Sequence, residues 1–340
     1  SISHASEVIT MEDTPSKAIR TKKDSSIRRA FELIKEGKAC GVVSAGNTGA
    51  MMAAGLFVSR TVPGIARPAI ASLIPKIGDA KPTVLLDSGA NVDCNASQLV
   101  QFAIMGALYA KAAIACEKPR VGVLSNGAEL SKGNDMTRAA AHMLAEIPDV
   151  NFIGYVEGRD IPRDIADVIV CDGFVGNIVL KTMEGSVELV FDSIKDIVKK
   201  SWRAKIGMSL AKPSFKRLFK QKLDPSAYGG APLLGLNEVA IVCHGSSNRR
   251  AIMNAIRVAA TLESEQLLPH LCQALINLDA VQSGALDQGI WDELGNRFNP
   301  KKANRAAAGI AKENGAAPHL QDEDAEEHET KLGDVSNDEC

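Results

Sequence analysis

No run of apolar residues in this sequence approaches the roughly 18 needed to cross a bilayer, and no basic, apolar and small-residue succession marks a signal peptide. A soluble protein, at most peripheral to a membrane, is expected. The seven cysteines, at 40, 94, 116, 171, 243, 272 and 340, include no CxxC pair and no metal-ligand spacing. Their odd number argues against a disulfide framework and for a reducing, cytoplasmic setting, without structural zinc. Aromatic residues make up only 4% of the chain against 45% hydrophobic residues overall, so a core must be assembled from Val, Ile, Leu and Ala. That palette suits helices packed on a buried sheet.

Several catalytic signatures are missing too. No GxGxxG follows an apolar run, there is no GxxxxGK[ST], and there is no GxSxG, which removes the usual support for dinucleotide binding, a P-loop and a serine hydrolase. Charge of one sign is absent locally: no acidic residue occurs between Asp196 and Asp224. The net charge of −2 hides a further asymmetry. Residues 321–340 carry nine acids against Lys331, so the remaining 320 residues hold a net +6 and favour acidic partners.

What is present has a repeating grammar. Apolar, β-branched runs end in short Gly, Asn and Ser loops and then in helical patterns: 40–44 before Ala45-Gly46-Asn47-Thr48-Gly49, 83–87 before Ser88-Gly89-Ala90-Asn91, 121–124 before Ser131-Lys132-Gly133-Asn134, 167–172 before Gly173-Phe174-Val175-Gly176-Asn177, and 239–243 before His244-Gly245-Ser246-Ser247. A further strand is expected over 69–75. Five such units imply an α/β fold on a parallel sheet, with polar loops converging at the carboxyl ends of the strands. Helices are expected from Asn177, over 187–198 and over 254–268, and Ala50 to Ala54 offer a small-residue face for close packing. Residues 199–222 alternate basic and apolar side chains and read as two short amphipathic helices broken at Pro213. Residues 299–340 have too few large apolar residues to pack and read as a disordered tail.

Individual residues remain ambiguous at this level. Lys132 can reach an anion held at helix N-termini or can be an ordinary surface lysine. Asn177 offers an amide to an oxyanion or caps its helix. His244 suits a general base, an anion ligand or a partner for a buried carbonyl. Asp87 and Asp93 could hold a divalent metal, but turn and capping roles are commoner for such pairs.

Five ordered motifs resemble the bacterial phosphate acyltransferase family of phospholipid synthesis: Ser44–Ala50, Leu85–Asp93, Asn151–Gly158, Cys171–Asn177 and Tyr228–Leu236. The resemblance implies transfer of a fatty acyl group from acyl-[acyl-carrier protein] to inorganic phosphate, a three-layer α/β/α fold like that of the isocitrate and isopropylmalate dehydrogenases, and a homodimer. It implies Lys132 and Asn177 as the catalytic pair. Substrate is expected at Ser44, Gly46, Asn47, Thr48, Asp87, Gly89, Asn91, Asp172, Gly173 and His244, with no metal and no other cofactor. The family's opening strand and loop are expected to be missing from this chain, whose α/β domain is set at 1–268 with a helical protrusion at about 185–224. Trp202, Lys205, Phe215, Lys216, Arg217 and Phe219 are expected to touch an anionic membrane or the acidic carrier protein, and nucleic acid is not an expected partner. Two other readings compete: a metal-dependent 2-hydroxyacid dehydrogenase of the same fold, and a non-catalytic scaffold on membrane surfaces.

Overall fold

The computed structural model describes residues 1–129, 131–218 and 224–285. Ser1–Ala285 form one compact unit. Its centre is an eight-stranded sheet made of β1 (Gly41–Ser44), β2 (Ala69–Ile74), β3 (Thr83–Leu86), β4 (Val121–Ser125), β5 (Phe152–Glu157), β6 (Val168–Val170), β7 (Ala231–Leu234) and β8 (Val239–Val242), in the order β1-β8-β7-β2-β3-β6-β4-β5. The helices are α1 (Pro15–Thr21), α2 (Ser26–Lys35), α3 (Thr48–Ala54), α4 (Ala96–Ile114), α5 (Asp135–Ala145), α6 (Gly173–Lys200), α7 (Trp202–Leu218), α8 (Arg249–Ser264) and α9 (Leu267–Ala285).

Strand alternation sorts the core into layers, because successive side chains point to opposite faces. Val84, Leu86, Val168, Val170, Val239 and Ile241 join the cluster covered by α4, α5, α8 and α9. Their neighbours point the other way. Ala240 and Val242 meet α1 to α3, while Leu85 and Ile169 pack near Val179 and Met183 of α6. The fold is therefore α/β, in three layers. Ala50, Met51 and Ala54, the small-residue face of α3, are fully buried in this protein's own core.

The sheet is mixed where an all-parallel one was expected. β1 pairs with β8, and β3, β6, β4 and β5 pair in succession, all in parallel. Between these groups, β2 runs antiparallel to β3 and β7, and β7 runs antiparallel to β8. The carboxyl ends of β1 and β8 thus point opposite to those of β3, β4 and β6. A single rim of converging strand exits does not exist.

Three helical expectations also change. The helix expected to begin at Asn177 begins at Gly173, capped by Asp172, and runs unbroken for 28 residues through the segment expected as a separate helix. α7 carries Pro213 within it instead of breaking there. The chain after β8 folds as two helices, and Leu267, Leu271, Leu275 and Leu278 of α9 are buried against the core. The compact unit runs through α9 to Ala285; the expected tail at 299–340 lies outside the described residues, as does Phe219.

Candidate functional site

The exit of β3 is built around one buried carboxylate. Asp87 Oδ1 accepts from the backbone N–H of Ile70 at 3.0 Å, Gly89 at 3.1 Å and Ala90 at 3.0 Å. Oδ2 accepts from the Asn91 N–H at 2.7 Å and from Asn91 Nδ2 at 2.9 Å. Asn91 Nδ2 also donates to the Pro68 carbonyl at 2.8 Å. With its lone pairs spent on its own loop, Asp87 organises the turn instead of binding a metal. Among the described residues, no group of three or more His, Cys, Asp or Glu could hold a metal ion.

This turn interlocks with the start of α6. Gly173 N–H donates to the Asn91 carbonyl at 2.7 Å. The approach is so close that a Cβ on Gly173 would lie 2.6 Å from that oxygen, and one on Gly176 would lie 1.9 Å from the Asp87 carbonyl oxygen. Only glycine allows such contact. Asp172 is the N-cap, accepting from Val175 N–H at 2.8 Å. Asn177 is therefore not the cap. It lies one turn in, exposed, beside Gly89, where an added Cβ would be 3.6 Å from Asn177 Oδ1. Among the described residues, its amide makes no hydrogen bond and remains available to a ligand.

The exit of β4 presents Lys132. Asn126 Oδ1 accepts from Gly133 N–H at 2.9 Å, and Lys132 N–H donates to the Glu129 carbonyl at 2.9 Å, so the loop folds back on itself. A Cβ on Gly127 would strike Lys132 Cγ at 2.7 Å, so the bare glycine makes room for the lysine stem. Asn134 caps α5 through a reciprocal pair of bonds with Thr137. The Lys132 ammonium itself is exposed and unbonded among the described residues. The roles of Asn126 and Gly127 were missed in the sequence; their adjacency, an Asn-Gly turn pair, was the available signal.

The second group of expected residues lies at the exits of β1 and β8. Ser44 Oγ accepts from Gly46 N–H at 3.1 Å, and Asn47 caps α3 by accepting from Ala50 N–H at 3.0 Å. Thr48 is exposed in the first turn. His244 Nδ1 accepts from Ser246 N–H at 3.2 Å and lies 2.6 Å from Ser246 Oγ, an arrangement that puts the ring proton on Nε2. The strand directions separate this group from the first, but the β3 loop reaches back across the sheet face: Ala90 packs on the cluster that contains Met51, Ala54 and Ile70.

Two thiols border the interlock. Burial pushes Cys94 up to about 11, and Cys171 is raised by burial as well, so neither is a thiolate at neutral pH.

Comparison with known proteins decides the family. A model described as fatty acid synthesis protein matches residues 1–269. A phosphate acyltransferase of Syntrophotalea carbinolica is 51% identical over 290 residues, covering 84% of this chain and 82% of the relative. The chain belongs to the phosphate acyltransferase family. A second member, from Geotalea uraniireducens, is 54% identical over 258 residues, 76% of this chain and 73% of its own length. Among solved structures, a phosphotransacetylase from Streptococcus pyogenes shares the fold at a TM-score of 0.50 and 21% identity, covering 74% of this chain and 71% of that one. Acyltransferase membership removes the dehydrogenase and scaffold alternatives as the main reading.

Proposed function

We propose that this protein transfers a fatty acyl group from the thioester of acyl-[acyl-carrier protein] to inorganic phosphate, releasing acyl phosphate and the free carrier thiol. What carries the reading is the 51% identity to a named phosphate acyltransferase over 84% of the chain. In the proposed reaction an oxygen of hydrogen phosphate attacks the thioester carbonyl carbon, the carbonyl oxygen becomes an oxyanion, and collapse breaks the C–S bond, the sulfur leaving with the proton that the phosphate gives up. Two demands follow: a dianion must be held close to the carbonyl, and the oxyanion needs donors fixed in place.

Asn177 supplies a free amide beside Gly89, and Lys132 supplies a free ammonium, so one serves the oxyanion and the other the phosphate. Asp87, Asn91, Asp172 and Gly173 serve by holding that amide in position, and Gly89 by leaving space beside it. Ser44, Gly46, Asn47, Thr48 and His244, at the exits of β1 and β8, are the further substrate contacts in this reading. In this reading the phosphate oxygen attacks the thioester carbonyl directly.

The hairpin of α6 and α7 carries the remaining proposals. Trp202 and Leu210 are 67% and 80% exposed, and Phe215 is also exposed, on a helix that includes Arg203, Lys205, Lys212 and Lys216. The side chain of Arg217, expected in the same contact, lies outside the described residues. Such a surface suits reversible contact with an anionic bilayer or with the acidic carrier protein. No described helix is long and apolar enough to cross a membrane. A homodimer is proposed as well, built on a surface other than the buried face of α3; a monomeric mass by light scattering would count against it.

The direct test is phosphate-dependent release of carrier thiol from an acyl-[acyl-carrier protein], with acyl phosphate trapped by hydroxylamine. Thiol release that does not depend on phosphate would replace this reading with a thioesterase.

A further inference from the structure

The residue that follows Lys132 is held from three sides. The Gly133 N–H donates to Asn126 Oδ1 at 2.9 Å, and the Gly133 carbonyl accepts from Arg138 Nη1. At φ +82° its Cα lies so close to Thr137 that an added Cβ would come within 2.3 Å of the hydroxyl oxygen. Each of these three partners is tied to a rigid element. Asn126 leaves the end of β4, where Ser125 Oγ donates to the same Oδ1 at 3.3 Å and orients the amide. Thr137 closes the cap of α5, accepting from the Asn134 N–H at 2.9 Å and donating to the Asn134 carbonyl at 3.0 Å. The second prong of the Arg138 guanidinium pairs with Asp135 in the same turn, so swinging away from Gly133 would give up both contacts at once.

Lys132 itself has no such hold on its charged end. Its ammonium is unbonded among the described residues and stands on a flexible four-carbon stem. Only the start of that stem is seated: a Cβ on Gly127 would lie 2.7 Å from Lys132 Cγ and 3.1 Å from Cδ. A cation on such a stem acts at a defined point only when its base is fixed by the surrounding structure. We propose that Asn126 and Arg138 are positioning residues for Lys132. Together they lock the two polar groups of the Gly133 peptide backbone and so set the direction from which the ammonium enters the site. The proposal rests on the acyl-transfer reading above and on the part given there to Lys132. Neither side chain has to touch substrate. The end of β4 supplies one hold and α5 the other, and losing either frees a glycine whose backbone has wide conformational freedom. The lysine then keeps its charge and its exposure but loses its aim.

The test uses Asn126→Ala and Arg138→Met in the full chain, each made alone and in a Lys132→Ala background, assayed with inorganic phosphate and an acyl-carrier-protein thioester. Misplacing a reacting group by about 1 Å can cost about a hundredfold in rate, so each single variant should lose about tenfold to a hundredfold in kcat. In the Lys132→Ala background the same substitutions should change the residual rate by less than about twofold, because the group they aim is gone. A merely structural role would lower the rate alike in both backgrounds. Single variants at wild-type kcat, or losses that multiply fully with the loss from Lys132→Ala, would overturn the proposal. Urea unfolding of each variant checks the fold; Asn126 is exposed, so Asn126→Ala carries the test if Arg138→Met unfolds early. Full activity of Lys132→Ala would remove the catalytic part of the lysine and the positioning with it. Failure of the wild-type protein to turn over any donor would instead remove the acyl-transfer reading, so the failures are distinguishable.

Discussion

Two glycines on one helix make opposite predictions. At Gly176 an alanine methyl would sit 1.9 Å from the Asp87 carbonyl oxygen and 3.0 Å from Cys171 Sγ. Ordinary contacts of this kind lie near 3.5 Å, so α6 must retreat from the β3 turn by about 1 Å or more. The obstacle is backbone, which no side-chain rotation can clear. Overpacking of this kind costs about 1–3 kcal/mol, and the better helix propensity of alanine returns about 1 kcal/mol, leaving a net loss of ~2 kcal/mol at the upper end. At Gly185 an added methyl meets nothing within 4 Å, so the same exchange should stabilise by about 0.5–1 kcal/mol. Function diverges similarly. A shift of ~1 Å in a positioning group can cost about a hundredfold in rate, and Asn177 adjoins Gly176. Urea unfolding followed by circular dichroism, with initial rates on a carrier-protein thioester, measures both quantities. Equal stability and equal turnover for Gly176→Ala and Gly185→Ala would refute the claim that the interlock positions Asn177.

The other predictions concern separate parts of the molecule. Asn177→Ala and Lys132→Ala should each lower kcat by about 10²–10³ while unfolding at wild-type urea concentrations, since both side chains are exposed and unbonded among the described residues; near-normal turnover in a folded variant ends that residue's catalytic role. Trp202→Glu with Leu210→Glu should weaken co-sedimentation with anionic vesicles at low salt, and equal sedimentation of variant and wild type would leave the basic face to the carrier protein. Asp167 receives Lys76 Nζ at 2.9 Å and Arg120 Nε at 2.9 Å, and the Lys76 side chain is only 1% exposed. Breaking this partly buried cluster by Asp167→Asn should cost about 3 kcal/mol. Burial opposes ionisation of Asp167, but Arg120 and Lys76 outweigh it and hold the carboxyl well below the usual range. A depressed carboxylate stabilises the fold fully above its unfolded pKa of ~3.9 and loses that contribution as pH falls towards the folded value. The stability gap between wild type and variant should be flat from about pH 8 to 5 and shrink below about pH 4; a gap that widens in acid contradicts the sign.

How much of this was legible in the sequence follows from what each residue type records. Buried strands announce themselves as apolar runs, so β2, β3, β4, β6 and β8 were readable from composition alone, and β1, an edge strand, from its Val42-Val43 pair before a Gly-Asn loop. β5 and β7 were not, for local reasons: β5 is an edge strand interrupted by Gly154 at φ +91°, and β7 is four residues long with Pro232 inside it. Strand direction left even less trace, because Val, Ile and Leu pack equally well in either sense. That is why the antiparallel β2 and β7, and with them the two opposed sets of strand exits, emerged only in three dimensions. At the site the record was uneven in a similar way. Glycines advertised the turns, since Gly173 and Gly176 tolerate a contact that no other residue could, but the sequence could not tell Asp87 as a turn organiser from Asp87 as a ligand. That distinction depends on how many backbone N–H groups reach the carboxylate, a property of the folded loop. Once those donors are counted, Asp87 drops out as a ligand, and the chemistry left for one falls to exposed side chains without a bond among the described residues, Asn177 and Lys132 among them.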